Sequence, residues 1–384
     1  MLDCKKEFFS LPADLCYLNG AYMSPNLKSV EAVGIESVQK KNNPLNISTT
    51  DFFAPVDELR EVFARLIHST EPENCVLIPS VSYAVANAAK NIPLCSGDEI
   101  LLVGEQFPSN YYSWKKLAAE NNAELRIVEA DRTQDHPVKY WNEKILESIH
   151  SRTKIIAMPI VHWADGSLFD IAKIRSVSSA YDSYLLVDGT QSVGAMDLNL
   201  NEIKLDFLVV AAYKWLLGPY SAGMAYYGER FLDGEAIEES WMNRYDSDNF
   251  AQLVNYQDSY RLGARRYEVG QSSNFIAVPM MQTAIRQLNE WKPSEIQAYC
   301  KHISSNALQT LSSEGFVIED AAYRAHHLFG IRLRPKDDLV SIATKLKAAK
   351  ISVSVRGDAI RVSPNVYNEQ KDIEQLVEVL VSGD

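Results

Sequence analysis

The sequence predicts an α/β fold: a mostly parallel, seven-stranded sheet with helices on both faces, followed by a smaller C-terminal α+β domain. Between about residues 75 and 228, short apolar runs alternate with helical patterns, a rhythm that favours parallel strands. Most runs are apolar at every position, which is typical of strands that helices cover on both sides. The predicted strands are residues 75–79, 99–103, 125–130, 154–161, 184–188, 206–212 and 223–227.

The connections refine this picture. Helical patterns follow Pro79, over residues 82–90, and Pro108, over residues 109–122. The last two predicted strands lie so close together in the sequence that one of them is expected to run antiparallel to its neighbours, because parallel strands need a long crossover connection.

The pattern changes after about residue 274. A mainly helical region over residues 275–313 precedes a strand, a helix, two short strands and a closing helix over residues 370–381. We therefore expect an N-terminal arm (1–20), a large domain (21–273) and a small domain (274–384). Residues 234–270 are polar, aromatic and irregular, and too long for an ordinary connection, which indicates a functional or interface segment.

The composition argues against several classes of protein. The 384 residues contain 38 Lys and Arg against 50 Asp and Glu, a net charge of −12, whereas nucleic-acid-binding proteins usually carry a basic patch. No apolar run approaches the roughly 20 residues of a transmembrane helix. The five cysteines form no CxxC pair, so neither a disulfide framework nor a metal site is expected. With no signal-peptide pattern at the N-terminus, we expect a cytoplasmic protein without nucleic-acid or membrane partners.

Two residues that could take part in a reaction stand at the ends of consecutive apolar strands. Asp188 ends the run YLLVD, and Lys214 follows DFLVVAA between Tyr213 and Trp215. Alone, Asp188 reads equally well as a capping residue, and a single lysine is more often a surface side chain. Together with Gln191, one helical turn after the aspartate, they match the needs of pyridoxal 5'-phosphate: a lysine that binds the cofactor as an imine and a carboxylate that keeps its ring nitrogen protonated.

Two further segments fit the same cofactor. Ser80, Val81 and Ser82 open a helix directly after a strand, and a helix N-terminus binds phosphate through free backbone amides, although a serine-capped helix is common. Phe107 lies in EQFPSN after the next strand. It is placed to stack on a flat ring, although most phenylalanines are core residues.

At this point the chain resembles a known family. DGTQSVGA followed by DFLVVAAYKWLLGPYSAG is similar to the lysine region of the class V aminotransferases. These fold-type I pyridoxal-phosphate enzymes include cysteine desulfurases, isopenicillin epimerase-like proteins and kynureninases. Further similar segments occur in the expected order along nearly the whole chain: CYLNGAYMSP, EQFPSN, VHWADGSLFDI, RRYEVGQSSNF and IRVSPNVYNEQKDI.

The resemblance implies roles around the cofactor ring. Lys214 would bind the cofactor, Asp188 would pair with the pyridine nitrogen and Gln191 would reach the phenolic oxygen. Phe107 would stack on the ring, where desulfurases usually have His and kynureninases have Phe. Tyr213 stands where kynureninases have a phosphate-binding tyrosine.

It also implies contacts at both ends of the cofactor. Val81 and Ser82 would bind the phosphate. Asn274 resembles the Ser-Asn segment by which kynureninases reach the cofactor of a neighbouring subunit, with Trp241 as its companion. The resemblance therefore implies a homodimer with shared active sites.

At the substrate-binding residues the sequence matches the family's pattern in some positions and departs from it in others. Arg361 matches the arginine that binds the substrate α-carboxylate, and Asn19 and Trp163 are expected on the same side. Trp163 and Asp165 replace the asparagine segment of desulfurases. The adjacent His162 is either a structural residue or a substrate-side acid or base.

The desulfurase nucleophile is missing from its expected place, since residues 355–360 are short and contain no cysteine. We therefore expect an enzyme that acts on an amino acid through an aldimine and a quinonoid carbanion, first of all an aminotransferase. The alternatives are a lyase, kynureninase-like or selenocysteine/cysteine lyase-like, or an epimerase. A non-catalytic or nucleotide-binding α/β protein is the remote alternative, because neither GxGxxG nor a P-loop is present.

Overall fold

A computed structural model describes residues 2–382 and places a seven-stranded sheet at its centre. The strands of these residues are β1 (Cys16–Tyr17), β2 (Cys75–Ile78), β3 (Glu99–Val103), β4 (Glu124–Val128), β5 (Thr153–Pro159), β6 (Tyr184–Asp188), β7 (Phe207–Ala211), β8 (Gly223–Tyr227), β9 (Phe329–Arg332), β10 (Ile351–Ser352), β11 (Ser354–Arg356) and β12 (Ala359–Val362). The central sheet has the order β2-β8-β7-β6-β5-β3-β4. Its pairs are parallel except that β8 runs antiparallel to both β2 and β7, which confirms the predicted reversal.

Helices cover both faces of this sheet. The α-helices of the described residues are α1 (Lys28–Lys40), α2 (Ala54–Leu66), α3 (Val81–Lys90), α4 (Tyr112–Asn121), α5 (Pro137–Glu147), α6 (Ile171–Ser179), α7 (Leu200–Ile203), α8 (Ala277–Trp291), α9 (Pro293–Ser313), α10 (Leu339–Ala348) and α11 (Gln370–Val381). In β2, Cys75 and Leu77 enter one hydrophobic core while Val76 and Ile78 enter the other. Because successive strand residues point to opposite faces, this alternation explains why the strands are apolar throughout.

The C-terminal part of the chain is a smaller α+β unit, as predicted. Its antiparallel sheet has the order β11-β12-β9 and shares a hydrophobic core with α10 and α11. Strand β1 pairs in parallel with β10, so the N-terminal segment joins this unit. Helix α8 instead packs on α1 and α2. The exact domain limits given above remain predictions.

Residues 234–270 contain neither an α-helix nor a strand, only short 3-10 turns at Trp241–Asn243, Phe250–Gln252 and Gly263–Tyr267. Several large apolar side chains of this segment are exposed, with Tyr256 at 95% and Leu262 at 83% of full exposure. No helix within residues 2–382 is long and apolar enough to cross a membrane.

The topology determines where chemistry can occur. Strands β5, β6 and β7 are parallel neighbours and end at Pro159, Asp188 and Ala211. In open α/β sheets ligands bind beyond the carboxyl ends of the strands. The segments that follow these three strands therefore meet at one edge of the sheet.

Candidate active site

A cavity of about 330 Å³ lies at this edge. It brings together eight residues that the sequence predicts for the site: Val81, Ser82, Phe107, Trp163, Asp188, Gln191, Tyr213 and Lys214. These residues come from the segments after β2, β3, β5, β6 and β7. Their convergence is a consequence of the fold and not of proximity in the sequence.

Lys214 follows β7 and is 7% exposed. Its Nζ lies 5.4 Å from the centre of the Phe107 ring and 5.5 Å from that of Tyr213. Burial lowers the pKa of this amine to about 8, against the opposing charge of Asp188, and the positive charges of Arg361 and Arg356 add to the lowering. A lysine in this environment is a better nucleophile and base near neutral pH than an ordinary one.

Asp188 ends β6 and is almost completely buried. Its Oδ1 accepts a hydrogen bond of 2.9 Å from the backbone N–H of Thr190. Burial raises the pKa of Asp188, while the hydrogen bonds from Thr190 and the charge of Lys214 lower it. A buried carboxylate with so little compensation favours a cationic partner.

Gln191 lines the cavity, but its side-chain amide already makes two hydrogen bonds with neighbouring residues. Its Nε2 donates to the carbonyl of Ala21 at 3.1 Å, and its Oε1 accepts from Trp215 Nε1 at 2.8 Å. Because an amide nitrogen has two hydrogens, one donor remains for a ligand.

The N-terminus of α3 opens onto the cavity. Ser80 caps this helix by accepting a 3.2 Å hydrogen bond from the N–H of Tyr83, and its hydroxyl lies 3.0 Å from that of Ser82. The first N–H groups of a helix have no partner inside the helix, so the backbone around Val81 is suited to an anion. Tyr213 packs on Tyr220 with ring centres 4.6 Å apart.

Phe107 and Trp163 form an aromatic wall, with ring centres 5.5 Å apart and nearly perpendicular planes. Trp163 Nε1 donates to the carbonyl of Glu105 at 2.7 Å, which ties the segment after β5 to the segment after β3. Phe107 remains 36% exposed, and this exposure leaves its face accessible to a flat ligand.

Arg361 adjoins this wall from β12 and is almost fully buried. Its guanidinium donates to the carbonyl of Trp163 at 2.8 Å and to Ser354 Oγ at 3.4 Å, and Ser354 in turn donates to Asn19 Oδ1 at 2.8 Å. The Arg361 Nε has no hydrogen-bond partner. Burial lowers the pKa of Arg361 to about 10, with a further contribution from Arg356. A buried arginine without a carboxylate partner is suited to bind one.

Four predicted residues are not among those that line this cavity. Arg361 and Asn19 connect to its wall through Trp163 and Ser354, whereas Asn274 and Trp241 lie apart from it. Asn274 is exposed and caps α8, since its Oδ1 accepts from the backbone N–H groups of Ile276 and Ala277 at 3.2 and 2.9 Å. Trp241 packs in an aromatic cluster with Phe52 and other rings, and is 41% exposed. Their roles at a neighbouring subunit's cofactor remain predictions.

Several residues that line the cavity were not predicted from the sequence: Gln106, Ser109, Thr190, Tyr220 and Ser221. Ser80 was expected only at the start of the helix, but its side chain also lines the cavity. Thr190 holds the site together, because its hydroxyl accepts from the N–H of Ala211 at 3.1 Å and links the ends of β6 and β7. Because Thr190 follows Asp188 by two residues, its place in the site could have been predicted from the sequence. No comparable signal in the sequence indicated Tyr220, because it reaches Tyr213 only through the fold of the loop between β7 and β8.

His162 lies outside the cavity lining. It is fully buried, packs between Trp141 and Phe169, and lies 3.4 Å from the carboxylate of Asp165. Asp165 also pairs with Arg332 of β9 at 2.9 Å. These contacts favour the structural alternative for His162.

The β11–β12 connection is a two-residue hairpin turn, because Arg356 pairs directly with Ala359. Gly357 in this turn has a φ of +57°, which glycine adopts without strain. All five cysteines lie elsewhere and are unpaired. Burial raises the pKa of the Cys16 thiol to about 12 and also raises the pKa values of Cys75 and Cys300.

Comparison with known proteins identifies a family whose model matches this chain and several proteins with a similar sequence. The model of the family "Aminotransferase class-V" matches residues 30–376. An uncharacterized aminotransferase of Bacillus subtilis (strain 168) is 25% identical over 84% of this chain and 82% of its own length. Isopenicillin N epimerase of Streptomyces clavuligerus is 22% identical over 88% of this chain and 86% of its own.

Solved structures share the fold. An apo cysteine desulfurase from Thermococcus onnurineus NA1 superposes with a TM-score of 0.82 at 19% identity, over 99% of this chain and 98% of that one. A complex between the cystine C-S lyase C-DES and its product cysteine persulfide gives a TM-score of 0.84 at 18% identity, over 96% and 98%. At these identities the likeness concerns the architecture.

Proposed function

This chain belongs to the class-V aminotransferase family, and from that premise we propose that it transfers the amino group of an α-amino acid to a 2-oxo acid. It is an enzyme whose cofactor is pyridoxal 5'-phosphate. The observation that carries the proposal is the cavity at the carboxyl edge of the sheet, where a buried amine and a buried carboxylate face the same space.

The residues of the cavity fit this cofactor. Lys214 offers an amine with a lowered pKa, and Asp188 is a buried carboxylate that favours a cation such as a protonated pyridine nitrogen. The N-terminus of α3 and the tyrosine pair offer donors for a phosphate. Phe107 presents an accessible ring face. These groups would hold the cofactor at its aldehyde, ring nitrogen, phosphate and ring plane.

When bound, pyridoxal phosphate supplies a conjugated ring that takes up the electron pair left on the substrate α-carbon. Asp188 would keep the proton on the ring nitrogen. Because the pKa of Lys214 is lowered to about 8, an appreciable fraction of its amine is neutral near pH 7. Lys214 therefore accepts the proton from the α-carbon and returns one during the reaction.

Arg361 orients the amino acid. Its guanidinium has an unpartnered Nε and is positioned by the carbonyl of Trp163 and the hydroxyl of Ser354. A paired, charge-assisted contact with the α-carboxylate fixes the α-carbon with respect to Lys214. Trp163 and Asn19 support this contact, since each connects to Arg361 directly or through Ser354.

Amino transfer is favoured because it needs a single proton-transferring side chain. Among the described residues that line the cavity there is no cysteine, no histidine and no carboxylate besides Asp188. Thiol-dependent sulfur transfer therefore lacks a carrier in this cavity, and epimerisation lacks a second strong base opposite Lys214.

We place the enzyme in the cytoplasm as a homodimer. The unpaired cysteines support a reducing compartment. The exposed apolar side chains of residues 234–270, Trp241 among them, support contact with a second copy, and Asn274 follows this segment closely. In that dimer Asn274 and Trp241 would approach the partner's cofactor.

The test is a screen of the holoenzyme with amino acids and 2-oxo acid acceptors, followed by product identification. We expect a new amino acid to form from the acceptor, at a rate that Lys214→Ala abolishes. Lys139→Ala, an exposed lysine of α5, serves as the control. Ammonia released without an acceptor would establish a lyase instead, and a D-amino acid product would establish an epimerase.

A further inference from the structure

We propose that the amino-acid substrate carries a second acidic group in its side chain, and that Arg356 recognises this group. The inference rests on the proposed function, because it concerns the substrate of the same site. It arises from a second arginine beside Arg361 for which the structure offers no acidic partner.

Arg356 lies on the same face of the hairpin as Arg361. Ser354 pairs across β11 and β12 with Arg361 and accepts a hydrogen bond from it. Residues two apart on a strand share a face, so the side chain of Arg356 emerges beside that of Ser354. Diagonal neighbours of this kind lie about 7–8 Å apart, within reach of long side chains.

The guanidinium of Arg356 reaches the wall of the cavity. Its Cζ lies 5.6 Å from the ring centre of Trp163, and Trp163 lines the cavity next to Phe107. The charge of Arg356 is also felt inside the site, because it contributes to the lowered pKa values of Lys214 and Arg361. Arg356 thus lies beside Arg361 and against the wall of the cavity, and from there it would reach the side chain of an amino acid whose α-carboxylate Arg361 holds.

Nothing in the described part of the chain neutralises this cation. Arg356 Nη1 donates only to the carbonyl of its neighbour Val355, at 2.8 Å, and its buried Nε has no partner. The nearby Asp358 pairs with Arg332 at 3.3 Å. Arg361 is buried without a carboxylate partner, which is unfavourable in the free enzyme, and the half-buried Arg356 beside it adds a second positive charge. A dicarboxylic amino acid, such as aspartate or glutamate, supplies one anion for each.

The cofactor phosphate does not fill this role. Its donors lie at the N-terminus of α3 and around Tyr213, and neither arginine has a hydrogen bond there. A contact with the Trp163 ring alone stabilises an arginine only weakly when the side chain is partly exposed. An anionic ligand at the cavity wall would therefore supply the partner that Arg356 lacks.

The experiment measures the binding of substrate mimics to the holoenzyme by titration calorimetry. Succinate and butyrate have the same number of carbons and differ in the second carboxylate. We expect wild-type enzyme to bind succinate or glutarate at least tenfold more tightly than butyrate. Arg356→Gln should abolish that preference while leaving the affinity for butyrate nearly unchanged, and Arg356→Lys should keep part of it.

Lys347→Gln removes one exposed charge from the same unit and serves as the control. Equal binding of succinate, glutarate and butyrate by the wild-type enzyme would overturn the inference, as would an equal loss for all three in Arg356→Gln. Amino transfer from neutral amino acids, unaffected by Arg356→Gln, would leave the proposed function standing and remove only this inference. If no amino acid is a donor, the proposed function itself fails.

Discussion

Lys214 and Asp188 are both buried, but burial shifts their pKa values in opposite directions. It lowers the pKa of the Lys214 amine to about 8 and raises that of the Asp188 carboxyl. Each shift disfavours the charged form. The apoenzyme therefore holds an amine whose neutral form can react with an aldehyde and a carboxyl group whose charged form becomes more favourable when a protonated ring nitrogen arrives.

The lowered pKa of Lys214 predicts how cofactor capture depends on pH. Below about pH 8 the amine is mostly protonated and not nucleophilic; above that value it is mostly neutral. The rate at which apoenzyme takes up pyridoxal phosphate should rise with pH and level off above about 8. Stopped-flow absorbance measures this rate. A rate that keeps climbing toward pH 10.5, the ordinary lysine value, would contradict the effect of burial.

Asp188→Asn should slow amino transfer by roughly 10²–10⁴-fold while the fold remains intact. The amide keeps the shape of the side chain but removes the charge that pairs with the ring nitrogen, and breaking a buried ion pair costs about 3–5 kcal/mol. Steady-state rates check the loss of activity, and circular dichroism checks that the fold is intact. Asp182→Asn is a matched control, because Asp182 is exposed and its φ of +55° suits asparagine. Near-normal activity of the Asp188 variant would exclude its role.

At the scale of single elements, the local apolar pattern is sufficient to predict the sheet. Strands β3, β6 and β8 have the bounds that the sequence predicts. Asp188 and Lys214 are also predictable, since each comes at or directly after the end of such a strand. The carboxyl edge of the sheet then brings them together.

Long-range contacts were not predictable in the same way. The pairing of Cys16 with Ile351 joins two-residue strands from opposite ends of the chain, and so short a strand has no periodicity of its own. The hydrogen bond between Asn19 and Ser354 likewise spans 335 positions. Only the resemblance indicated Asn19 and Arg361, and nothing in the sequence indicated that Ser354 connects them.

The β11–β12 hairpin predicts that incubation with cysteine forms no persulfide on this enzyme. Sulfur transfer needs a thiolate that reaches the substrate, but the turn has two residues and no cysteine. Three of the five thiols are buried with raised pKa values. Mass spectrometry of the intact protein checks this expectation. A persulfide formed at turnover rates on Cys4, Cys95 or any other cysteine would refute it.

At the scale of the whole molecule, the exposed apolar side chains of residues 234–270 predict a dimer interface. Val254 is 80% and Leu262 83% exposed, and apolar side chains exposed together usually mark a contact surface. Val254→Asp combined with Leu262→Asp should shift the protein toward a monomer in light scattering. Val340→Asp, at an apolar residue of α10 that is 74% exposed, should leave the oligomeric state unchanged. A wild-type monomer that binds cofactor tightly would contradict the shared site.

We expect the cavity at the carboxyl edge of the sheet to bind pyridoxal phosphate through Lys214. Borohydride reduction of the holoenzyme, followed by proteolysis and mass spectrometry of the peptides, identifies the lysine, because the reduced link survives digestion. We expect the pyridoxyl mass on the peptide that contains Lys214, no label in Lys214→Ala, and normal labelling in Lys139→Ala. A label on a different lysine of the wild-type enzyme, or a label that persists in Lys214→Ala, would contradict the account.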